Sequence, residues 1–560
     1  MTVSTQIKWL VFITLLVNAT AMLSPIINSG DSLVYAALSQ HIALSNDWAN
    51  LVLSGNDWLD KPHFPFWITA LFFKIGGVSA FTYMLPGFLF HLIGGYFTYR
   101  TARLRYDRDT AWLALLVYVS VYHLMYTSIE VKAESYLTGS ITAACYYWLR
   151  YDTVTKLKYL LLGALFSAIA VMTKGLFTLI TIASGLVCMW LYQKQWYKLW
   201  SGKWLLALIL SLLFTAPEVI ALYLQFDSHP EKVMFGHTNV SGIKFFFWDS
   251  QFGRFFNTGP IQNHNGNPWY FVLVFLWAFL PWVVVFVAAI FSGIRHFASV
   301  SADKRSSFVF LCGTFFITFT LFSATSFQFD YYTVILFPFA AIICANYLAG
   351  WLNRQPSNRK LFVAQMCVTL LLLTLAIGMS IYVAQPVLLA GVLVLMGALL
   401  AYGYVTRKQM HIVAALFYPV IAINIVYLFW VSMSIFAYTT YSISYNANKI
   451  LAGKGDVPIC VYKMDENVAR EVALYNHHSV YRIIDIAQFP AVGSHYFLIV
   501  NEEQLAQFSP QLSNVRPIAK GQWIEHKTGI LLKILRLAKG VEPLKAYSIV
   551  EVGGNDFPGN

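Results

Sequence analysis

Asp31, Lys61, Glu134 and Lys174 each stand in a polar connection between long apolar runs. Their settings read Gly30-Asp31-Ser32-Leu33-Val34-Tyr35, Asp60-Lys61-Pro62-His63, Glu130-Val131-Lys132-Ala133-Glu134 and Thr173-Lys174-Gly175. A carboxylate beside a cavity can take the proton from a hydroxyl as a general base, an effect of about 10²–10⁴-fold. A lysine in a partly dry groove holds a phosphate with its charge undiminished by water. Asp31 is read as a candidate base and Lys61 as a candidate phosphate contact. Each residue also has a plainer reading: Asp31 as a helix N-cap, Lys61 and Lys174 as lysines snorkelling to lipid headgroups, Glu134 as an acid favoured at a helix start. Glu130 and Glu134, four apart, are expected on one helix face.

Two later connections add polar candidates: Arg254 in Gln251-Phe252-Gly253-Arg254, with His264 in Asn263-His264-Asn265-Gly266, and the run Gln328-Phe329-Asp330-Tyr331-Tyr332. A lone loop Arg or His is more often solvated than functional, and tyrosines at such depths commonly form an interfacial belt. The joint arrangement says more than any member, because these residues are far apart in sequence and need a scaffold that gathers them on one side.

Composition names that scaffold. Of 560 residues, 58% are hydrophobic, 17% aromatic and only 11% charged, against about 25% charged in a soluble domain. Disorder, a collagen-like fibre and a disulfide-stapled module are excluded. The expected fold is a polytopic α-helical membrane protein with about thirteen transmembrane helices, near 8–27, 81–99, 110–126, 135–149, 157–172, 175–193, 204–224, 269–292, 307–325, 331–351, 361–382, 385–405 and 411–436. The first is read as an uncleaved anchor, not a cleaved signal.

Basic residues orient these spans. With the N-terminus cytoplasmic, Arg100–Arg108, Arg150–Lys158, Lys194–Lys203, Arg295–Arg305, Arg354–Lys360 and Arg407–Lys408 all fall on the cytoplasmic side, as the positive-inside rule requires. The opposite face then carries loops near 28–80 and 225–268, every candidate above, and residues 441–560. Helix 32–44 in the first loop has an apolar pattern suited to lying along the interface. Residues 1–440 form the membrane domain with a net charge of +11. This excess belongs at lipid headgroups, which argues against a nucleic-acid partner. Residues 441–560 hold 12 Lys+Arg and 11 Asp+Glu and read as a mixed α/β periplasmic domain. Strands are expected at Val457–Tyr462, Ser479–Ile484 and Tyr496–Val500, and helices at Glu466–Tyr475 and Glu502–Phe508. No charge is read at the middle of a span, where a transporter would place its ionisable groups.

The ordered landmarks Gly30-Asp31-Ser32 with Tyr35, Asp60-Lys61-Pro62 leading to Trp67, Lys132-Ala133-Glu134, Thr173-Lys174-Gly175, Asn267-Pro268-Trp269, and Phe322-Ser323 running to Tyr332 and Pro338 resemble the integral-membrane glycosyltransferases of the GT-C fold. Among these they are similar to bacterial relatives of protein O-mannosyltransferase and of the aminoarabinose transferase that modifies lipid A. The resemblance covers residues 28–340; the last spans and the C-terminal domain match in architecture alone. It implies transfer, with inversion, of a sugar from a polyprenyl (undecaprenyl) phosphate carrier to a cell-envelope acceptor, such as lipid A or another glycolipid, at the periplasmic face of the bacterial inner membrane.

It further implies Asp31 as base and Glu134 as a second acid that orients or binds the acceptor. Lys61, Tyr332 and Arg254 become donor-phosphate contacts, and Tyr35, Asp60, Lys174, His264, Gln328, Asp330 and Tyr331 cavity residues. No Gly-rich nucleotide loop is found, which suits a lipid-linked donor. No metal ligands or cofactor are assigned, and divalent-cation dependence stays open. Ser32 stands where the resembling family usually has a second acid, and Gln328 where its aminoarabinose transferases have a lysine, so the sugar and acceptor stay open. The rivals are a protein O-glycosyltransferase or oligosaccharide ligase of the same fold, and a lipid or polysaccharide transporter.

Overall fold

The computed structural model describes residues 3–352 except 26, 28, 29, 129 and 263–265, then 359–382, 413–455, 457–475, 479–490, 494–508, 514–523 and 544–553, with single positions at 391, 393, 394, 397, 401 and 512. Among these, seven helices are long and apolar enough to cross a membrane, and the pair Tyr270–Ala278 and Val283–Arg295, bent by 112°, brings the number to eight. The chain is a multi-pass membrane protein.

Other expected spans are helical but more polar or shorter. They are α4 (Ala80–Arg105), α5 and α6 (Arg108–Val119 and Tyr122–Thr127, the broken 110–126 span), α7 (Ala133–Thr153) and α9 (Phe177–Tyr192). The reason is packing: α7 has nearly all its side chains buried, and a helix surrounded by protein needs no uniformly apolar surface. The expected span 385–405 lies largely outside the described residues, as does the start of 411–436.

Local chemistry sets the helix ends. Ser79 and Thr82 form a capping box at the start of α4, and the Asp107 carboxylate accepts the Thr110 N–H at the start of α5, each cap contributing about 1 kcal/mol. Glycine lets helices approach closely: a Cβ at Gly139 of α7 would lie 2.5 Å from the Phe90 carbonyl oxygen of α4.

Three elements frame one end of the bundle. After α1 (Val3–Thr20) comes α2 (Asp31–Ser45), matching the expected interfacial helix 32–44 to within a residue. The hairpin β1 (Val52–Leu53) and β2 (Asn56–Asp57) and the turn at 60–63 lead into α3 (Phe64–Gly76). Helix α8 (Leu157–Lys174) brings Lys174 to the same end, where Gly175, with φ of 108°, turns the chain into α9.

Past the long helix Tyr418–Tyr441, the chain forms a five-stranded sheet of order β4-β3-β5-β7-β6 among the described residues. Strands β3 (Ile459–Tyr462), β4 (Val480–Ile483) and β5 (Tyr496–Asn501) are parallel and lie close to their expected positions, as do helices Glu466–Tyr475 and Glu502–Phe508. Strands β6 (Val515–Trp523) and β7 (Lys545–Val552) complete the sheet antiparallel and were not expected from the sequence.

Glu471 of helix Glu466–Tyr475 is buried at the joint with the membrane helices, where Ser442 Oγ donates to its Oε1 at 3.3 Å. Burial pushes this carboxyl up to about 7, against hydrogen bonds from Ser444 and Ser442 that favour the charged form. Between about 4.5 and about 7 the folded state keeps a proton that the unfolded chain releases, so stability falls as pH rises through that window. Glu471→Gln removes the titration while keeping an acceptor for the serines. The variant is expected to gain about 3 kcal/mol over wild type at pH 8 and almost nothing at pH 4, read as a higher melting temperature only at the alkaline end.

Candidate functional site

Gly30, with φ of 85°, occupies the cap position of α2, so the Asp31 carboxylate is not engaged as an N-cap. It stays exposed, and its Oδ2 accepts the Tyr331 hydroxyl at 3.0 Å. No lysine or arginine among the described residues forms an ion pair with it. An acid held by a neutral donor and open to solvent can receive a proton. Ser32, beside it, donates to the Val131 carbonyl at 3.4 Å, tying α2 to the connection that carries Glu134.

Asp60, Lys61 and Arg254 form a triad across 194 residues of sequence. Lys61 Nζ lies 2.9 Å from Asp60 Oδ2, while Arg254 Nη2 donates to Asp60 Oδ1 and, at 3.1 Å, to the Asp60 carbonyl. One carboxylate between two cations leaves one net positive charge, in a position to attract an anion. Lys61 does not snorkel: its side chain is 15% exposed. Burial lowers its pKa from the ordinary lysine value, opposed by the charges of Asp31 and Glu134, which places all three within electrostatic reach. Burial lowers that of Arg254 too, against Tyr332, Tyr35 and Asp31.

Glu134, in the first turn of α7, pairs with Lys174 at the end of α8, both side chains nearly fully buried. The Lys174 ammonium lies 3.6 Å from the Tyr332 ring centre, a cation–π contact strengthened by desolvation. Lys132 Nζ stands over the Tyr331 ring at 4.4 Å and 3.4 Å from Glu130 Oε1. Glu130 does not share a helix face with Glu134, because α7 begins only at Ala133 and Glu130 sits in the bend before it. Tyr331 thus links the exposed acid to this second set of charges. Asp330 accepts the Tyr331 backbone N–H at 2.9 Å, fixing that turn.

Tyr35 is buried beside Phe66, with ring centres 4.8 Å apart, within electrostatic reach of Glu134, Asp31 and Arg254. Gln328 Oε1 accepts the Asn267 N–H at 2.9 Å, a structural bond between two connections. His264 lies outside the described residues. Among the described residues no three His, Cys, Asp or Glu side chains are grouped to hold a metal ion.

One cavity meets this cluster, and a second, larger one lies apart from it along α2. The first, of about 100 Å³, is lined by Lys174, Arg254, Phe177, Phe322, Phe327 and Tyr332, two cations against an aromatic wall. The larger cleft, of about 1520 Å³, runs between the second half of α2, the end of α3 and the C-terminal sheet unit, and is lined by His41, Lys74, Arg470 and Arg482. Leu44 and Tyr481 leave apolar surface exposed in it. His41 is ten residues beyond Asp31 on α2, about 15 Å along the helix.

Two residues escaped the sequence reading. His63 and Glu218 form a wholly buried pair at 2.9 Å. Glu218 lies inside the expected span 204–224, within the apolar helical stretch Gly202–Asp227, so a span does carry a charge near its end. An ionisable residue in a span was itself the signal.

Residues 60–220 match the family described as dolichyl-phosphate-mannose-protein mannosyltransferase. The chain is 24% identical over 325 residues to undecaprenyl phosphate-alpha-4-amino-4-deoxy-L-arabinose arabinosyl transferase 2 of Proteus mirabilis, covering 57% of this chain and 54% of that one. It is 23% identical over 370 residues to the undecaprenyl phosphate-alpha-4-amino-4-deoxy-L-arabinose arabinosyl transferase of Shewanella sediminis, covering 64% and 62%. The matched stretches thus span less than two thirds of either relative. The crystal structure of ArnT from Cupriavidus metallidurans bound to undecaprenyl phosphate superposes with a TM-score of 0.72 and 15% identity over 98% of both chains. The chain has the GT-C fold of that protein.

Proposed function

We propose that this protein is an inner-membrane glycosyltransferase that moves a sugar from an undecaprenyl phosphate carrier to a glycolipid of the cell envelope, such as lipid A, with inversion. The observation that carries the reading is a separation of charge: an exposed Asp31 without a cation partner among the described residues, close to a Lys61–Asp60–Arg254 triad with one positive charge in excess. The names of the relatives support the same donor. Asp31 takes the proton from the acceptor hydroxyl, and the freed oxygen bonds the anomeric carbon. The bond from that carbon to the phosphate oxygen breaks, and its electron pair leaves with undecaprenyl phosphate. Lys61 and Arg254 hold the phosphate as its charge grows, with Tyr332 as a further donor. Glu134, fixed by Lys174, orients the acceptor. The pocket of about 100 Å³ suits the first part of the prenyl chain.

The positive-inside pattern supports a site facing the periplasm, a cytoplasmic N-terminus and a periplasmic domain over residues 441–560. The cleft of about 1520 Å³ is where an anionic lipid acceptor rests, phosphates on Lys74 and Arg482, acyl chains against Leu44. Replacing both Lys74 and Arg482 by alanine is expected to raise the acceptor KM about tenfold, at about 0.5–1 kcal/mol per partly exposed contact, with donor KM unchanged.

The test of function incubates purified protein with undecaprenyl-phosphate sugars and lipid A. The expected result is a covalently modified lipid and free undecaprenyl phosphate, both seen by mass spectrometry. Product on protein instead of lipid makes it a protein O-glycosyltransferase or ligase, and lipid movement across liposomes with no product makes it a transporter.

A further inference from the structure

His63 and Glu218 are shut off from solvent, each side chain 0% exposed. Glu218 Oε2 accepts the His63 backbone N–H at 2.9 Å, and its Oε1 faces the ring Nδ1 at 2.9 Å. The other ring nitrogen, Nε2, faces the Ala49 carbonyl oxygen at 3.0 Å. A carbonyl only accepts, so Nε2 carries a proton, and a second proton lies on the line between Nδ1 and the carboxylate. The pair is neutral as a unit, and both ring nitrogens and both carboxylate oxygens have partners. The Trp67 ring covers the imidazole, with centres 5.2 Å apart, and its indole N–H donates to the Trp48 carbonyl at 2.7 Å.

This bracket sits two residues from Lys61. Pro62 between them has a fixed φ, so little freedom separates the His63 backbone from that of Lys61. Glu218 belongs to the apolar helical stretch Gly202–Asp227; Gln225 of the same stretch bonds Leu51 and Asp57 earlier in the connection, and of these ties the His63–Glu218 pair is the one nearer Lys61. From this geometry we infer that Glu218 is a positioning residue: through His63 it anchors the 60–63 turn to a membrane helix and holds Lys61 and Asp60 opposite Arg254. The inference rests on the proposed reading of Lys61 as the phosphate contact.

The experiment measures affinity of the purified full chain for undecaprenyl phosphate, alongside donor and acceptor KM and kcat. Glu218→Ala is expected to weaken undecaprenyl phosphate binding at least tenfold and to raise donor KM likewise, with acceptor KM unchanged. Glu218→Asp keeps the charge but withdraws it by one methylene; binding should fall severalfold while the protein stays folded. Glu218→Gln restores binding to within about threefold, because its carbonyl accepts the His63 N–H and its amide donates to an unprotonated Nδ1. In a Lys61→Ala background, Glu218→Asp should have no further effect on binding, as expected of residues acting through one another. Wild-type affinity in Glu218→Asp, or an undiminished effect without Lys61, overturns the positioning role. If Lys61→Ala alone leaves binding unchanged, the phosphate reading of Lys61 falls and takes this inference with it; if it weakens binding while Glu218→Asp does not, only the inference falls.

Discussion

Asp31→Asn is expected to lower sugar transfer by about 10²–10⁴-fold at saturating donor and acceptor, the range a positioned general base supplies. The substitution changes one oxygen to an amide nitrogen, so shape and exposure are kept and the remaining carbonyl can still accept from Tyr331. Only the capacity to take a proton is lost. Because Gly30 rather than Asp31 occupies the cap position, helix α2 loses no capping bond, and the melting temperature should stay within a degree or two of wild type. Undecaprenyl phosphate affinity should also persist, since the Lys61–Asp60–Arg254 triad is untouched. Unimpaired turnover in Asp31→Asn, with a normal melting temperature, would remove Asp31 from the chemistry. A loss of binding in place of turnover would make it an electrostatic partner of Lys61 instead of a base. Tyr331→Phe offers a graded companion: the carboxylate remains but loses its 3.0 Å hydrogen bond, so turnover should fall about tenfold, consistent with one hydrogen bond to a charged group.

Much of this site is legible in the sequence because alternation along a membrane chain is a strong constraint. Connections of the same parity share a face, so Asp31, Lys61, Glu134, Lys174 and the Asp330–Tyr332 turn are predicted at one end of the bundle before any contact is known. The likeness of residues 28–340 to GT-C enzymes then orders their roles. Pairing is not legible. Nothing in the spacing says that Lys174 meets Glu134, forty residues earlier, or that Asp60 lies between Lys61 and Arg254, because these contacts depend on helix rotation. Glu218 is lost for a different reason: seven residues after Ser211 in a strongly apolar run, its carboxylate is averaged away by any window long enough to detect a span. The spans expected near 81–99 and 135–149 are helical as α4 and α7, which pack among other helices and so tolerate His and Tyr that lipid would reject. In the C-terminal unit, the expected strands β3 and β5 are apolar, save Asn501 at the end of β5, and covered on both faces. Strand β6 contains Pro517, Gly521, a register shift and the polar Arg516, Lys520 and Gln522, as an edge strand permits, and so resembles a loop.

Lys61→Met should weaken undecaprenyl phosphate binding and raise donor KM, and should lower kcat by about 10²–10³-fold, the loss typical of one preorganised donor to a developing oxyanion. Its effect is larger than that of an exposed lysine because the triad balance is inverted. With Lys61 present, two cations share Asp60 and one positive charge is free for phosphate; without it, Arg254 and Asp60 neutralise each other and the turn presents no excess charge. Asp60→Asn is then a discriminating partner. It frees both cations, so phosphate affinity should rise or hold, whereas a purely structural Asp60 would reduce it. The pH dependence gives an independent readout. On the proposed reading Lys61 holds the phosphate as the cation, and burial moves its pKa down from the usual lysine range, so donor affinity should decline on the alkaline side sooner than an exposed lysine would allow. In Lys61→Arg the guanidinium stays charged throughout, and that alkaline decline should move to higher pH even if the absolute affinity is lower. An alkaline limb identical in wild type and Lys61→Arg would mean that another group governs it, and a Lys61→Met variant that binds undecaprenyl phosphate normally would show that the phosphate does not rest on this lysine.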